Sequence, residues 1–450
     1  MIRKMLLATT LIALAGCSSI LTPSPVKDGA GFALPVGYDY RGSIADLKAP
    51  EKDWWSGFGS QPLDALVAQA LSANQTLAQG IANIDASRAA LKVANASLLP
   101  QASGSLSASS DTQSGLDDVD ASGRLSASYQ LDLFGANAAS RAGALANFDA
   151  AVFSQRALEL TVQSDVATTY FNLLASREQL EVARRNLEIA ERIFDIVQVR
   201  YKAGAISGFD VSSQSAQLAN ARARIPQLES QIASLETALA ILVGQVPQGY
   251  VAPSENILAI GLPQTDPGLP SDLLLRRPDL MQSEANLRAA SANIDAARAA
   301  FFPSMDLGAG VSSLLTGGSD LTGSLSASIA ATIFSGGRLE GQLGSAEARR
   351  AGQLASYRSS IFNALRDVDV SLKASEANAA REEQLLIARD AAADALEAAE
   401  IRYRAGTGDL TSLLTSQQNY SDAANSYVLG RLDRLTSAIN LYVALGGGYT

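Results

Sequence analysis

Histidine is absent from all 450 residues and cysteine occurs once, at Cys17, which leaves nucleophilic chemistry little to work with. Without an imidazole no Ser-His-Asp or Cys-His system can be assembled, and a lone thiol makes neither a zinc cage nor an intrachain disulfide. The residue types leave open only an all-carboxylate site. Gly308-Ala309-Gly310 falls in a strand pattern and not ahead of a helix, and no Gly-x-x-x-x-Gly-Lys occurs. Asp117-Asp118-Val119-Asp120 lacks calcium-loop spacing and reads as a solvated hairpin loop. Neither a catalytic group nor a metal or cofactor is expected.

Covalent chemistry of another kind is expected at Cys17. Arg3 and Lys4 form a basic start, Met5 to Leu14 an apolar stretch, and Leu14-Ala15-Gly16 puts small residues before the cysteine, the pattern of a signal cleaved ahead of an acylated Cys. Two or three acyl chains, at about 0.8 kcal/mol per buried CH₂, suffice for stable anchoring. Ser18, not an aspartate, follows, as in lipoproteins released to the outer membrane.

The 35 Lys+Arg stand against 45 Asp+Glu, a net charge of −10 that becomes −12 once Arg3 and Lys4 leave with the signal. Nucleic acid is therefore not an expected partner, since phosphate neutralisation needs clustered cations. With 47% hydrophobic and 18% charged residues the chain is in the globular range, and its 6% aromatics and Ala/Ser/Leu/Gln-rich stretches suggest long helices. Past the signal no run of about 18 apolar residues occurs, so no transmembrane helix is expected.

The elements that would position any site come in two copies. A shift of 202 or 203 residues aligns Ser97-Leu98-Leu99-Pro100 with Ala300-Phe301-Phe302-Pro303, Arg200-Tyr201-Lys202-Ala203-Gly204 with Arg402-Tyr403-Arg404-Ala405-Gly406, and Leu242-Val243-Gly244 with Ala444-Leu445-Gly446. The expected organisation is a signal over 1–17, a tether over 18–62, a first repeat over 63–244, a Pro-rich extended connector over 245–270, a second repeat over 271–446 and a tail over 447–450. In each repeat a helix leads to a hairpin of period-2 alternation, over 101–133 and 304–334. Leu125, Ala127, Tyr129 and Leu131 alternate with Ser126, Ser128 and Gln130; Leu325, Ala327 and Ile329 alternate with Ser324, Ser326 and Ser328. Strands of about ten residues with one apolar face have the size of tilted bilayer-spanning strands, and also that of a surface hairpin half-buried on helices.

A long helical hairpin follows each strand pair, over 135–243 and 338–446. Gly135 to Arg200 has no proline, and 66 residues extend roughly 100 Å as helix. Val166, Leu173, Leu180, Leu187, Phe194 and Tyr201 recur every seven residues, a coiled-coil seam. The second copy reads as a weaker seam filled largely by alanine. Gly204 and Gly406 are expected to end the long helices, with Arg200, Lys202, Arg402 and Arg404 complementing the helix dipole. Asp210 and Asp409 are expected to cap the returning helices, and Pro226 to interrupt and kink the first of them.

Trp54-Trp55, Leu131-Asp132-Leu133-Phe134-Gly135, Arg276-Arg277-Pro278-Asp279-Leu280 with Glu284, Phe301-Phe302-Pro303, Ile333-Phe334-Ser335-Gly336-Gly337-Arg338 and Leu441-Tyr442-Val443-Ala444-Leu445-Gly446-Gly447-Gly448 resemble the TolC-like outer-membrane efflux proteins. The likeness is to the lipoprotein branch that serves resistance-nodulation-division pumps, the NodT type of outer-membrane factor, and it covers essentially the whole mature chain. It implies a mainly α protein with transmembrane β structure. Each protomer of a homotrimer gives four strands to one 12-stranded barrel, continued by a long α-helical periplasmic barrel. It further implies passive conduction of small molecules from an inner-membrane pump through a periplasmic adaptor, or membrane fusion protein, and across outer-membrane lipid. The adaptor would meet the reversal tips at Arg200, Gly204, Asp210, Arg402, Gly406 and Asp409. Family members often place an aspartate at the tunnel constriction, and one such position holds Thr415 here. Asp210 and Asp409 are then the acidic candidates for a gate, with Leu410, Leu414 and Thr415 as apolar or hydroxyl rings. Strand arithmetic agrees on oligomerisation, because four strands close no barrel while three sets of four do. The competing reading is a non-conducting, lipid-anchored helical scaffold of the cell envelope whose hairpins pack on its own helices.

Overall fold

The computed structural model describes residues 35, 53–110, 119–263, 270–315 and 321–448. Cys17, Asp111 to Asp118 and the Gly317-Gly318 turn lie outside them. After a 3-10 turn at Trp54–Phe58 come helices α1 (Gln61–Ala73) and α2 (Gln75–Ala96), strands β1 (Gln101–Ser110) and β2 (Val119–Leu131), and helices α3 (Ala136–Lys202) and α4 (Gly208–Leu242). The second copy runs through a single turn α5 (Leu273–Arg276), helix α6 (Pro278–Ala299), strands β3 (Ser304–Leu314) and β4 (Leu321–Ala330), and helices α7 (Arg338–Arg404) and α8 (Leu410–Ala444). Three pairs of helices match in length: α2 and α6 have 22 residues, α3 and α7 have 67, and α4 and α8 have 35.

Local chemistry sets the boundaries. The Ser60 hydroxyl accepts from the Leu63 N–H at 3.1 Å to open α1. Asn74 separates α1 from α2, its Oδ1 taking the Thr76 and Leu77 N–H groups at 2.8 and 3.2 Å. At the other end, all four long helices close alike. After α3, Gly204 N–H bonds the Tyr201 carbonyl and Ala205 N–H that of Arg200; after α7, Gly406 bonds Tyr403 and Thr407 bonds Arg402. The same paired bonds follow α4 at Gly244-Gln245 and α8 at Gly446-Gly447. Each closing glycine sits at positive φ, between 71° and 91°, the αL residue that such a motif needs.

The chain divides into two compact units. In the first, residues 81–154 and 279–361, the strands form one antiparallel sheet in the order β1-β2-β3-β4. The junctions below the sheet explain the repeated motifs. The Asp132 carboxylate caps α3, accepting from Asn137 N at 3.0 Å and Ala138 N at 2.7 Å. Phe134 stacks on Phe302 with centroids 4.7 Å apart, and Gly135 takes φ 76°. Arg141 reaches Asn95 at 2.6 Å within the first copy, and Arg288 reaches Asp149 at 3.4 Å, holding helices of the two copies side by side.

In the second unit, residues 34–80, 155–278 and 362–450, the core gathers Trp54, Phe58, Leu63, Val166, Phe171, Leu173, Leu239, Ile257, Leu435 and Tyr442. Trp54 stacks on Tyr442 at 5.4 Å and donates to Gln163 Oε1 at 3.1 Å. Two arginines hold the segment between the copies. Arg177 donates to the carbonyls of Pro253 at 2.7 Å and Ala252 at 3.1 Å while pairing with Glu236 at 2.7 Å. Arg431, buried, donates to the carbonyls of Ile257 and Ile260 and pairs with buried Glu382 at 3.1 Å.

Several expectations are corrected here. The supposed tether ends in a packed element, since Trp54, Trp55 and Phe58 are core residues; the aromatics outweigh the prolines before them. The connector is not simply extended, because it carries a 3-10 turn at Ile257–Ala259 with Ile257 buried. Helix α4 runs unbroken through Pro226. Strand β4 ends at Ala330, short of the expected 334, and Ile333 beyond it is fully solvated. The second seam is not one of alanine: the positions 202 residues beyond the first seam are Val368, Ser375, Glu382, Arg389, Leu396 and Tyr403. Four of these, Val368, Glu382, Leu396 and Tyr403, are buried.

Candidate functional site

Two surfaces carry the functional expectations, and the sheet is the first. Strand register sorts its residues onto two faces. Ala102, Gly104, Leu106 and Ala108 oppose Ala127, Leu125, Gly123 and Ala121. Leu125, Ala127, Tyr129 and Leu131 oppose Val311, Ala309, Leu307 and Met305, which in turn meet Gly323, Leu325, Ala327 and Ile329. The other face is hydroxyl-rich: Ser103 bonds Ser126 at 3.0 Å and Ser107 bonds Ser122 at 2.8 Å across the strands. Only Asp120, Arg124 and Asp306 are charged within the four strands, and all three lie on this polar face.

The apolar face is uncovered. Leu106 is 78% exposed, Leu125 69%, Leu325 89% and Ile329 68%, so the hairpins do not lie against the chain's own helices as a scaffold would require. A solvated protein seldom leaves so continuous an apolar surface bare. Strands β1 and β4 stand at the edges of the sheet, each ten residues long without proline, and such edges pair with another chain unless blocked.

The two helix reversals, in the second unit, are the other surface. They lie together: Arg200 donates to the Tyr403 carbonyl at 3.2 Å, its guanidinium 4.7 Å from the Tyr403 ring centre. Ile189, Ile193, Val197, Leu396, Tyr403 and Leu413 form a small core there, with Leu410 and Leu414 half-buried against it. Thr415 is exposed. Asp210 sits at the third position of α4 and accepts from the Ser207 N–H at 2.9 Å and hydroxyl at 3.0 Å, the capping box. Asp409 is the cap of α8, accepting from the Ser412 N–H at 2.8 Å and hydroxyl at 2.7 Å. Those donors from Ser412 hold the Asp409 carboxyl below its ordinary value of 3.8. Above the tips, Asn186 bonds Gln417 and Ser421, both at 3.2 Å. Asn186 and Gln417 line a polar groove of about 330 Å³ with Gln217, Arg224 and Gln418.

Known proteins then decide the family. The sequence model described as outer membrane efflux protein matches residues 66–245 and again 269–447, the two copies in turn. The chain belongs to the outer membrane efflux protein family. It is similar to the pyoverdine export outer membrane protein OpmQ of Pseudomonas aeruginosa, 33% identical over 99% of this chain and 97% of that one. The probable outer membrane lipoprotein SilC of Salmonella typhimurium is 29% identical over 99% of both. The open-state MtrE outer membrane channel of Neisseria gonorrhoeae superposes with TM-score 0.82 at 28% identity, covering 95% of this chain and 97% of that one. As an outer membrane efflux protein the chain is the outer-membrane channel of a tripartite efflux system, with its helices on the periplasmic side, in a family of channels and not of enzymes.

Of the residues expected at the tips, the structure joins Arg200 to the second reversal through Tyr403, while Gly204 and Gly406 cap their own helices. Asp210 and Asp409 are engaged within their own caps, and Arg402 is exposed. Sequence reasoning missed Tyr403, the Asn186-Gln417-Ser421 cluster and the charges on the polar strand face. A lone arginine at a serine position of β2 was the available signal for the last of these.

Proposed function

We propose that three copies of this chain close one 12-stranded barrel in the outer membrane and pass small molecules outward without spending energy. An inner-membrane pump of the resistance-nodulation-division type drives transport, and a periplasmic adaptor joins it to the reversal tips. One observation carries the reading: a four-stranded sheet with a bare apolar face, a hydroxyl-lined opposite face and two free edges. An even number of antiparallel strands lets β4 of one copy pair antiparallel with β1 of the next, so a ring of three removes every edge. A dimer would make eight strands, whose interior is filled by side chains.

The acyl chains of Cys17 anchor each copy to the membrane. Arg200, Gly204, Asp210, Arg402, Gly406 and Asp409 form the adaptor-facing surface. Three-fold symmetry turns Asp210 and Asp409 into carboxylate rings that favour cations at the constriction, with Leu410, Leu414 and Thr415 as the rings left if those charges do not face the axis. Native mass measurement of detergent-extracted protein tests the assembly. Three chains, each beginning at an acylated Cys17, are expected; a monomer or dimer, or a mature chain that begins elsewhere, contradicts the reading.

A further inference from the structure

Resting on the barrel reading just given, we infer that Arg124 sets the charge preference of the barrel lumen. It forms a cationic ring selective for small anionic solutes, and Asp306 forms a separate ring of opposite sign nearer the helices. The apolar face of the sheet meets lipid, so the hydroxyl face lines the conduit. Arg124 lies on that face, opposite Ser105 on β1 and Ser312 on β3. Its neighbours along β2 on the same face, Ser122 and Ser126, bond to serines of β1. Around it the wall is mostly serine and glycine: Gly308 and Gly310 face Ser128 and Ser126, and Leu314 opposite Ser122 is the large apolar side chain beside them. A long cationic side chain therefore projects inward where its direct cross-strand partners, Ser105 and Ser312, stop short.

Twelve strands about 4.8 Å apart, tilted by about 40°, put the backbone roughly 12 Å from the axis. Three guanidiniums extending inward from that wall lie within about a Debye length of the axis at ~0.1 M salt, so no ion passes beyond their field. Asp306 pairs with Gln130, six residues from Arg124 along β2. That is about 20 Å along the strand and about 15 Å along the axis. The Debye length at 0.15 M is about 8 Å, so the two rings act as successive filters and do not cancel. Asp120, four residues from Arg124 toward the loops, adds a third level of negative sign.

Because Cys17 is the only native cysteine, an introduced thiol reports the local potential directly and is not masked by the narrower tips. Assembled protein in outer-membrane vesicles carrying Ser105→Cys would be treated with a sulfonate-bearing or an ammonium-bearing methanethiosulfonate, and the wild-type background subtracted. The sulfonate is expected to react relatively faster. Adding Arg124→Gln should lower the anion-to-cation rate ratio about threefold at ~0.01 M salt, where three charges are little screened, while Arg124→Lys keeps the ratio. Ser328→Cys, opposite Asp306, should show the reverse preference, relieved by Asp306→Asn. Should Arg124→Gln fail to assemble, raising the salt to 1 M with Arg124 intact must itself collapse the ratio. A ratio at Ser105→Cys that neither Arg124→Gln nor salt alters overturns the inference and leaves the barrel standing. Reaction at Leu106→Cys with none at Ser105→Cys would put the faces the other way round and overturn the barrel reading as well.

Discussion

Asp409 carries one charge with two possible uses. Its carboxylate caps α8 through both donors of Ser412, and a ring of three would also attract cations. Because those donors hold its pKa below the ordinary 3.8, it stays ionised throughout the neutral and mildly acidic range. The sign follows from the direction of the shift: the stability the cap adds is complete above pH 3.8 and is lost as pH falls through the lowered value. Asparagine caps almost as well as aspartate but carries no charge. Asp409→Asn is therefore expected to leave assembly and melting at neutral pH near wild type while reducing cation selectivity in single-channel recordings at low salt. Unchanged selectivity in both Asp409→Asn and Asp210→Asn would leave closure to Leu410, Leu414 and Thr415.

At the scale of elements, the repeat, the hairpins and the long helices were legible because each rests on a period: 202 residues, two residues and seven residues. What escaped the sequence was polar or local. The second seam reads weakly because Glu382 and Arg389 occupy positions matching Leu180 and Leu187, and only the fold reveals that Arg431 and Arg434 make burial of Glu382 tolerable. Pro226 does not interrupt α4, because one missing N–H leaves the helix's other backbone bonds in place. Trp54 and Phe58 were placed in a tether because prolines nearby conceal a five-residue turn.

The four helix-closing glycines look alike in sequence and differ in what surrounds them. A Cβ at Gly204 or Gly406 would meet nothing within 4 Å, so alanine there costs only the αL strain of about 1–2 kcal/mol. At Gly244 it would lie 2.7 Å from the Ala73 carbonyl carbon, and at Gly446 2.8 Å from the Arg276 carbonyl oxygen. Gly244→Ala and Gly446→Ala should therefore cost about 1–3 kcal/mol more than Gly204→Ala, read as a larger fall in the melting temperature of the assembly. Gly204→Trp and Gly406→Trp should lower export in cells while trimer yield stays near wild type if the tips meet the adaptor. A parallel fall in yield would make the glycines caps and nothing more.

Over the whole molecule, what the chain lacks is as informative as what it has. Among the described residues, its sheet leaves apolar side chains bare on one face and backbone groups unpaired on two edges. Further copies satisfy the edges, and lipid satisfies the face. The polar face then encloses water, and a closed polar lumen is a conduit whether or not any residue does chemistry. Purified full-length protein added to a planar lipid bilayer tests this most directly. The account predicts discrete, stepwise ion conductance from assemblies of three chains. Three-chain assemblies that insert into the bilayer and conduct no ions would contradict it.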